Sequence, residues 1–126
     1  MRSYELDSKG HVNNAVYLAY AEEVAVMHAE VLGFGRQWTL SQGGAWVVRK
    51  HEIVYHRPAR FGQELELTTT VLSMRGARST RHTTIALTDT TLLAELTTEW
   101  VWVRATDGRP TRVPDAMVEA FSGAPT

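Results

Sequence analysis

Residues 13–33 read NNAVYLAYAEEVAVMHAEVLG, and this segment determines how the rest of the chain can pack. Asn13 and Asn14 are good N-cap residues, and Gly33 is typical of the position just after a helix C-terminus. Between these caps, apolar side chains cover nearly the whole circumference of a helix. A helix of that kind is buried rather than laid on a surface. The segment therefore predicts a buried helix about 28 Å long.

Stretches rich in Val, Thr, Ile, Leu and Trp follow the Gly43-Gly44 turn. In one of them Leu65, Leu67 and Thr69 alternate with polar residues, which is the period of a strand with one buried face. Turn residues separate the stretches, and a short helix is expected near the C-terminus. The expected strands are 45–56, 63–75, 79–89 and 92–104, broken at Arg57-Pro58, Gly76 and Asp89-Thr90, and the helix is 115–121.

A short extended start, Arg2 to Leu6, precedes the long helix and is expected to supply one more strand. One helix cannot cover both faces of such a sheet. The economical arrangement is an α+β fold, in which a curled antiparallel five-stranded sheet wraps round a long central helix. The outer face and the edges of the sheet would remain to be covered. This predicts a homodimer or homotetramer.

The composition excludes several classes of protein. The chain has 126 residues, with 13 Lys and Arg against 14 Asp and Glu. We expect one domain over 1–126, and there is no basic field to bind nucleic acid. Because Cys is absent, disulfides, thiolate metal sites and a cysteine nucleophile are excluded. The N-terminal residues lack a signal-peptide core, and no apolar run reaches the length of a membrane span. We expect a cytoplasmic protein.

The segment most informative about chemistry is 4–17, YELDSKGHVNNAVY. Asp7 is the only acid in the loop directly before the helix. A helix N-terminus offers unpaired N–H groups and a partial positive charge, which suit the oxyanion of a thioester under attack. A carboxylate beside it could attack the carbonyl or deprotonate a water. The same residues also suit a turn and a helix cap, so spacing alone leaves both interpretations open.

Two motifs point to a family. Residues 7–17 follow the pattern Asp-x-x-Gly-His-Val-Asn-Asn-x-x-Tyr, and residues 55–65 read YHRPARFGQEL. Together they resemble the 4-hydroxybenzoyl-CoA thioesterase-like branch of the hotdog-fold superfamily, and the order of elements agrees along the chain. The resemblance implies a hotdog fold and hydrolysis of an acyl-CoA without a cofactor. It also implies a site at a subunit interface.

By the same resemblance, Asp7 would be the nucleophile or general base. The backbone N–H of Asn14 would polarise the thioester carbonyl, Tyr17 would line the acyl pocket, and His11 would flank the acid. The resemblance does not separate nucleophilic from general-base catalysis, and it does not specify the acyl group.

Alternatives stay open. The His-Val-Asn-Asn run also resembles plant-type acyl-acyl-carrier-protein thioesterases, but Lys9 and Pro58 stand where that pattern has an Asn and an acid. A hotdog hydratase using Asp7 and His11 is a second alternative, and a non-catalytic acyl-CoA-binding protein is a third.

Other side chains are weaker candidates. Glu22 and Glu23 lie on the helix, where another hotdog branch carries its acid. Two groups of arginines could hold the phosphates of CoA, although basic turns are often only solvated. These substrate-binding candidates are Arg57 and Arg60 in one group, and Arg75, Arg78 and Arg81 in the other. No convergent set of metal ligands emerges, so we expect no metal site.

Overall fold

A computed structural model describes residues 14–60 and 62–122, and the expected strand 2–6 lies outside them. The architecture is α+β, as the sequence predicted. The helices and strands are α1 (Asn14–Val31), α2 (Arg36–Ser41), β1 (Gly44–Tyr55), β2 (Leu65–Arg75), β3 (Arg78–Leu87), β4 (Leu92–Arg104) and α3 (Asp115–Ser122). Among the described residues, no helix is long and apolar enough to cross a membrane.

The described strands form one antiparallel sheet in the order β1-β4-β3-β2. Arg75 pairs with Arg78 across the tight turn at Gly76, whose φ of +60° favours glycine. Each strand pair contains a register shift, for example between Val48 and Lys50. Such bulges bend a sheet and increase its twist.

α1 packs on the inner face of this sheet. Tyr17, Ala21 and Ala25 lie four residues apart on one side of the helix, and all three are buried. On the side away from the sheet, Val26 is 51% exposed and Met27 is 58% exposed. The expectation of a helix buried all round was therefore wrong for a single subunit. The sheet covers only one side of α1 and leaves an apolar side uncovered.

A hydrophobic cluster lies between the other end of the sheet and α3. Trp102 packs with Met117 and Phe121 of α3, the C-terminal helix that the sequence predicted.

The short helix α2 was not predicted. It contains Thr39 and Ser41, residue types with low helix propensity, and their hydroxyls bond to backbone carbonyls three residues earlier. A six-residue helix also has too few turns to give a periodic pattern.

Gly44 approaches the buried ring of Trp102 so closely that a Cβ at this position would overlap the indole. We expect Gly44→Ala to lower the free energy of unfolding by about 1–3 kcal/mol, the usual cost of overpacking. Urea denaturation would measure the loss. The smaller ring of Trp102→Phe should relieve the overlap, so the double variant should lose less than the sum of the two single losses. Additive losses would show that the close approach has no energetic consequence.

Candidate functional site

α1 is described from Asn14 onward, and the predicted cap Asn13 lies outside the described residues. The first turn contains no acidic side chain. Its backbone N–H groups therefore keep the partial positive charge of a helix N-terminus without an internal carboxylate to neutralise it. The catalytic candidates Asp7 and His11 lie outside the described residues.

Tyr17 joins the two sequence motifs. Its side chain is only 1% exposed, and its hydroxyl accepts a hydrogen bond of 3.0 Å from the backbone N–H of Ala59. Its ring also meets that of Tyr55 edge to face, with centroids 5.4 Å apart. Burial raises the pKa of the Tyr17 hydroxyl, so it stays protonated at neutral pH. The first motif thus contacts the second, although 42 residues separate the two bonded groups.

Arg57 and Arg60 follow β1 and are exposed on either side of the buried Ala59. Hydrogen bonds from backbone N–H groups hold this segment. The Arg57 N–H donates to the carbonyl of Leu93, and the Arg60 N–H donates to the side-chain oxygen of Gln63. Since Ala59 contacts Tyr17, both arginines lie near the first turn of α1. Their positive charges face solvent there.

Arg75 and Arg78 flank the β2–β3 turn and are also exposed. Arg78 makes a 3.4 Å ion pair with Glu99. This hairpin lies at the far end of β2 from Arg60, and an 11-residue strand is about 33 Å long. One subunit therefore does not bring the two groups of arginines together.

Arg81 does not share a surface with Arg78. Side chains alternate along β3, so Ser79, Arg81 and Thr83 are buried on the inner face while Arg78 is exposed. Arg81 is 6% exposed, and its guanidinium lies 5.4 Å from the centroid of the Phe121 ring. Burial lowers its pKa to about 10, so it still carries its charge at neutral pH.

His28 on α1 is held by the same arginine. An Nη1 hydrogen of Arg81 is donated to His28 Nδ1 over 2.9 Å. Arginine can only donate, so Nδ1 is the acceptor and the proton of the neutral ring is on Nε2. Burial, and then the charge of Arg81, lower the pKa of His28. No local sequence pattern could identify this partner, which lies 53 residues away.

The helical acids Glu22 and Glu23 have different surroundings. Glu22 contacts His51 Nε2 at 3.3 Å, and His51 Nδ1 is 2.8 Å from the hydroxyl of Thr98. This chain of contacts connects α1 with β1 and β4 on the inner face. Glu23 is exposed.

On the outer face of the sheet, the carboxylate of Glu95 lies between two histidines. His56 Nε2 is 2.8 Å from one carboxylate oxygen, and His82 Nε2 is 3.3 Å from the other. The bond to His56, more than that to His82, lowers the pKa of Glu95. Within the described part of the chain, no set of three or more His, Asp or Glu side chains is placed to hold a metal ion.

The hydroxyl of Tyr17 is the only acceptor found for the buried N–H of Ala59 among the described residues. We expect Tyr17→Phe to lower the free energy of unfolding by about 1–3 kcal/mol, because this N–H loses its bond away from water. Urea unfolding would measure it, with Ser73→Ala as a control that removes an exposed hydroxyl. Equal stability of Tyr17→Phe and the wild type would contradict a structural role for this bond.

The lowered pKa of His28 makes stability depend on pH. Below the ordinary histidine pKa of about 6.5, the unfolded chain binds a proton at this position more readily than the folded chain. The contribution of neutral His28 is therefore complete above that pH and is lost as the pH falls toward the lowered value. Thermal unfolding of wild type and His28→Gln at a series of pH values would test this. The variant should lose less stability on acidification, and parallel curves would refute the expectation.

Comparisons with known proteins agree with the expected family. The profile of the thioesterase-like superfamily matches residues 1–121. The acyl-CoA thioester hydrolase YbgC of Escherichia coli is 31% identical over 117 residues, which are 93% of this chain and 87% of that protein.

Solved structures agree as well. A thioesterase from Thermus thermophilus, complexed with coenzyme A and zinc, has a TM-score of 0.81 and 26% identity, over 99% of this chain and 92% of that one. The DHNA-CoA thioesterase of Staphylococcus aureus has a TM-score of 0.89 over 98% of this chain and 85% of that one, and at 21% identity it supports the fold alone. The chain therefore belongs to the thioesterase-like superfamily.

Proposed function

We propose that this protein hydrolyses an acyl-CoA thioester to a free acid and CoA. The observation that carries the proposal is that α1 follows Asp7 closely in the chain and has no acid in its first turn. The relative YbgC, named as an acyl-CoA thioester hydrolase and matched over most of this chain, supports the same reaction.

In the proposed reaction the thioester oxygen faces the N–H groups of the first turn of α1, including that of Asn14. These groups stabilise the negative charge that forms on the oxygen, an effect worth several kcal/mol in comparable sites. Asp7 either attacks the carbonyl carbon or removes a proton from the water that does. The carbon–sulfur bond then breaks, the CoA sulfur takes up a proton, and water supplies the hydroxyl of the acid. His11 flanks Asp7, and no cofactor enters the reaction.

We place Tyr17 beside the acyl group through its ring, since its hydroxyl is already bonded to Ala59. Exposed arginines bind the phosphates of CoA in this proposal. Arg57 and Arg60 lie close to the first turn of α1, whereas Arg75 and Arg78 lie about 33 Å away along β2. If both pairs serve one CoA molecule, they come from different subunits. Arg81 is buried on the inner face of the sheet and is therefore not placed to bind a phosphate.

We also propose that the active assembly is a homodimer or homotetramer of one-domain cytoplasmic subunits. The uncovered side of α1 exposes Val26, Met27 and Val31, and β1 exposes Val47 and Val54 along one edge of the described sheet. An exposed apolar patch of this kind is typical of a surface that another protein subunit covers. Residues 2–6 would add a fifth strand, so that a hotdog sheet wraps round α1 as a long central helix.

Asp7 is tested by release of free thiol from aliphatic and aromatic acyl-CoAs. We expect Asp7→Ala to lose at least about 100-fold in kcat, because a missing nucleophile or general base costs at least that much. Unfolding and subunit assembly should be unchanged. Glu22→Gln serves as the matched control, since it removes a carboxylate from α1 instead.

Near-normal turnover by Asp7→Ala together with loss in Glu22→Gln would assign catalysis to the helix. Thiol release from acyl-acyl-carrier-protein and not from acyl-CoA would replace the proposed substrate. Binding of acyl-CoA without any turnover in the wild type would refute the proposal and favour a binding protein.

A further inference from the structure

A cavity of about 290 Å³ lies between α1, α2, α3 and the inner face of the sheet. It borders α1 along Ala25–Glu30, far from the first residue of that helix. This volume is at the lower end of the range typical of small-molecule pockets. Its walls are mostly apolar and include Phe34, Trp46, Met74, Trp100 and Phe121. Size and lining both suit a small organic ligand.

The cavity also contains a buried cation. Arg81 lines it, and among the described residues the guanidinium bonds only to neutral acceptors. These are His28 Nδ1 at 2.9 Å and the hydroxyl of Thr69 at 3.3 Å. Glu30 borders the cavity but is exposed, and the described ion pairs include none between it and Arg81. A buried charge without a counter-ion is costly, and a guanidinium has five N–H donors to satisfy.

A second donor without an acceptor among the described residues belongs to Trp100, which also lines the cavity. The indole Nε1 of Trp100 is buried and has no hydrogen-bond partner within the described part of the chain. An indole can only donate. Ser79 pairs with Trp100 and Arg81 pairs with Thr98, so the two donors are diagonal neighbours on β3 and β4. Diagonal side chains are about 7–8 Å apart and remain within reach of one ligand when they are long.

We propose that this cavity binds a small amphipathic carboxylate, with its anionic group against the Arg81 guanidinium and the Trp100 N–H, and its apolar body among the aromatic walls. A carboxylate supplies the negative charge that Arg81 lacks and the acceptor that Trp100 lacks. A planar guanidinium binds a carboxylate through two parallel hydrogen bonds. A phosphate ester of this size would place more charge in an apolar cavity than one arginine neutralises.

The site is independent of turnover. Only one link rests on the proposed function: thioester hydrolysis releases a carboxylate, so the ligand belongs to the chemical class of the product. Binding can therefore be measured without any thioester, and a negative result would leave the hydrolase proposal unaffected.

The test is calorimetric titration of the full chain with octanoate and 3-phenylpropanoate, each beside its alcohol, 1-octanol and 3-phenylpropan-1-ol. The alcohols keep the apolar body and lose the charge. Intrinsic tryptophan fluorescence, to which Trp46 and Trp100 of the cavity contribute, gives a second readout. The wild type should bind each carboxylate roughly tenfold or more tighter than its alcohol, as expected for a charge-assisted bond.

Arg81→Met should abolish this preference while changing alcohol binding little. Trp100→Phe, which keeps an aromatic wall and removes the N–H, should weaken carboxylate binding several-fold. Arg104→Met removes an exposed arginine at the end of β4 and should bind like the wild type. If Arg81→Met does not fold, the wild-type comparison and Trp100→Phe still decide the question. Equal binding of acid and alcohol, or no binding of either, would overturn the proposal.

Discussion

The backbone N–H of Ala59 donates a hydrogen bond to the Tyr17 hydroxyl inside the protein, and the placement of the first turn of α1 depends on this contact. Both partners are removed from water, so neither can exchange the bond for solvent. Around it, Tyr17 and Ala59 pack in one cluster with Ile85 and Leu96 of the central strands. The helix N-terminus is thereby held against the sheet and against the segment that carries Arg57 and Arg60. In the proposed hydrolysis, the groups that polarise the carbonyl and the groups that attract the anionic substrate are positioned by the same contact.

The inner face of the sheet is unusually polar for a core. Arg81, Thr83 and Thr98 are buried there, and the partly exposed His51–Glu22 pair lies beside them. Each is connected to a neighbour by a hydrogen bond, and these bonds cross between α1, β1, β2, β3 and β4. Buried polar groups are costly when unpaired and specify one arrangement when paired. The exceptions, the Trp100 indole and the charge of Arg81, occur where a cavity leaves room for a ligand. The proposed ligand would account for the unpaired indole, the charge without a counter-ion and the cavity together.

Local patterns in the sequence were sufficient to predict α1, α3 and the strands β1 to β4, because caps, turns and periodicity act over a few residues. The same patterns could not place Arg81. The odd spacing from Arg78 puts the two on opposite faces of β3, and the alternation of 79, 81 and 83 contains that signal, although closeness in sequence favoured a single basic cluster. The bonds of Arg81 to His28 and Thr69 depend on how distant segments pack, which no local pattern contains. The exposed side of α1 was missed for a related reason. A helix that is apolar all round is predicted to be buried, but its sequence does not tell whether the same subunit or a partner subunit covers it.

β1 is a 12-residue strand without proline, and it forms one edge of the described sheet. An edge of this length offers a row of backbone donors and acceptors to any other extended chain. In a paired subunit that row would be occupied; in an isolated one it would invite fibril-like stacking. The measured stability of the folded chain would then depend on its concentration. Changes that weaken pairing would lower recombinant yield through aggregation, even where the core of each subunit is intact.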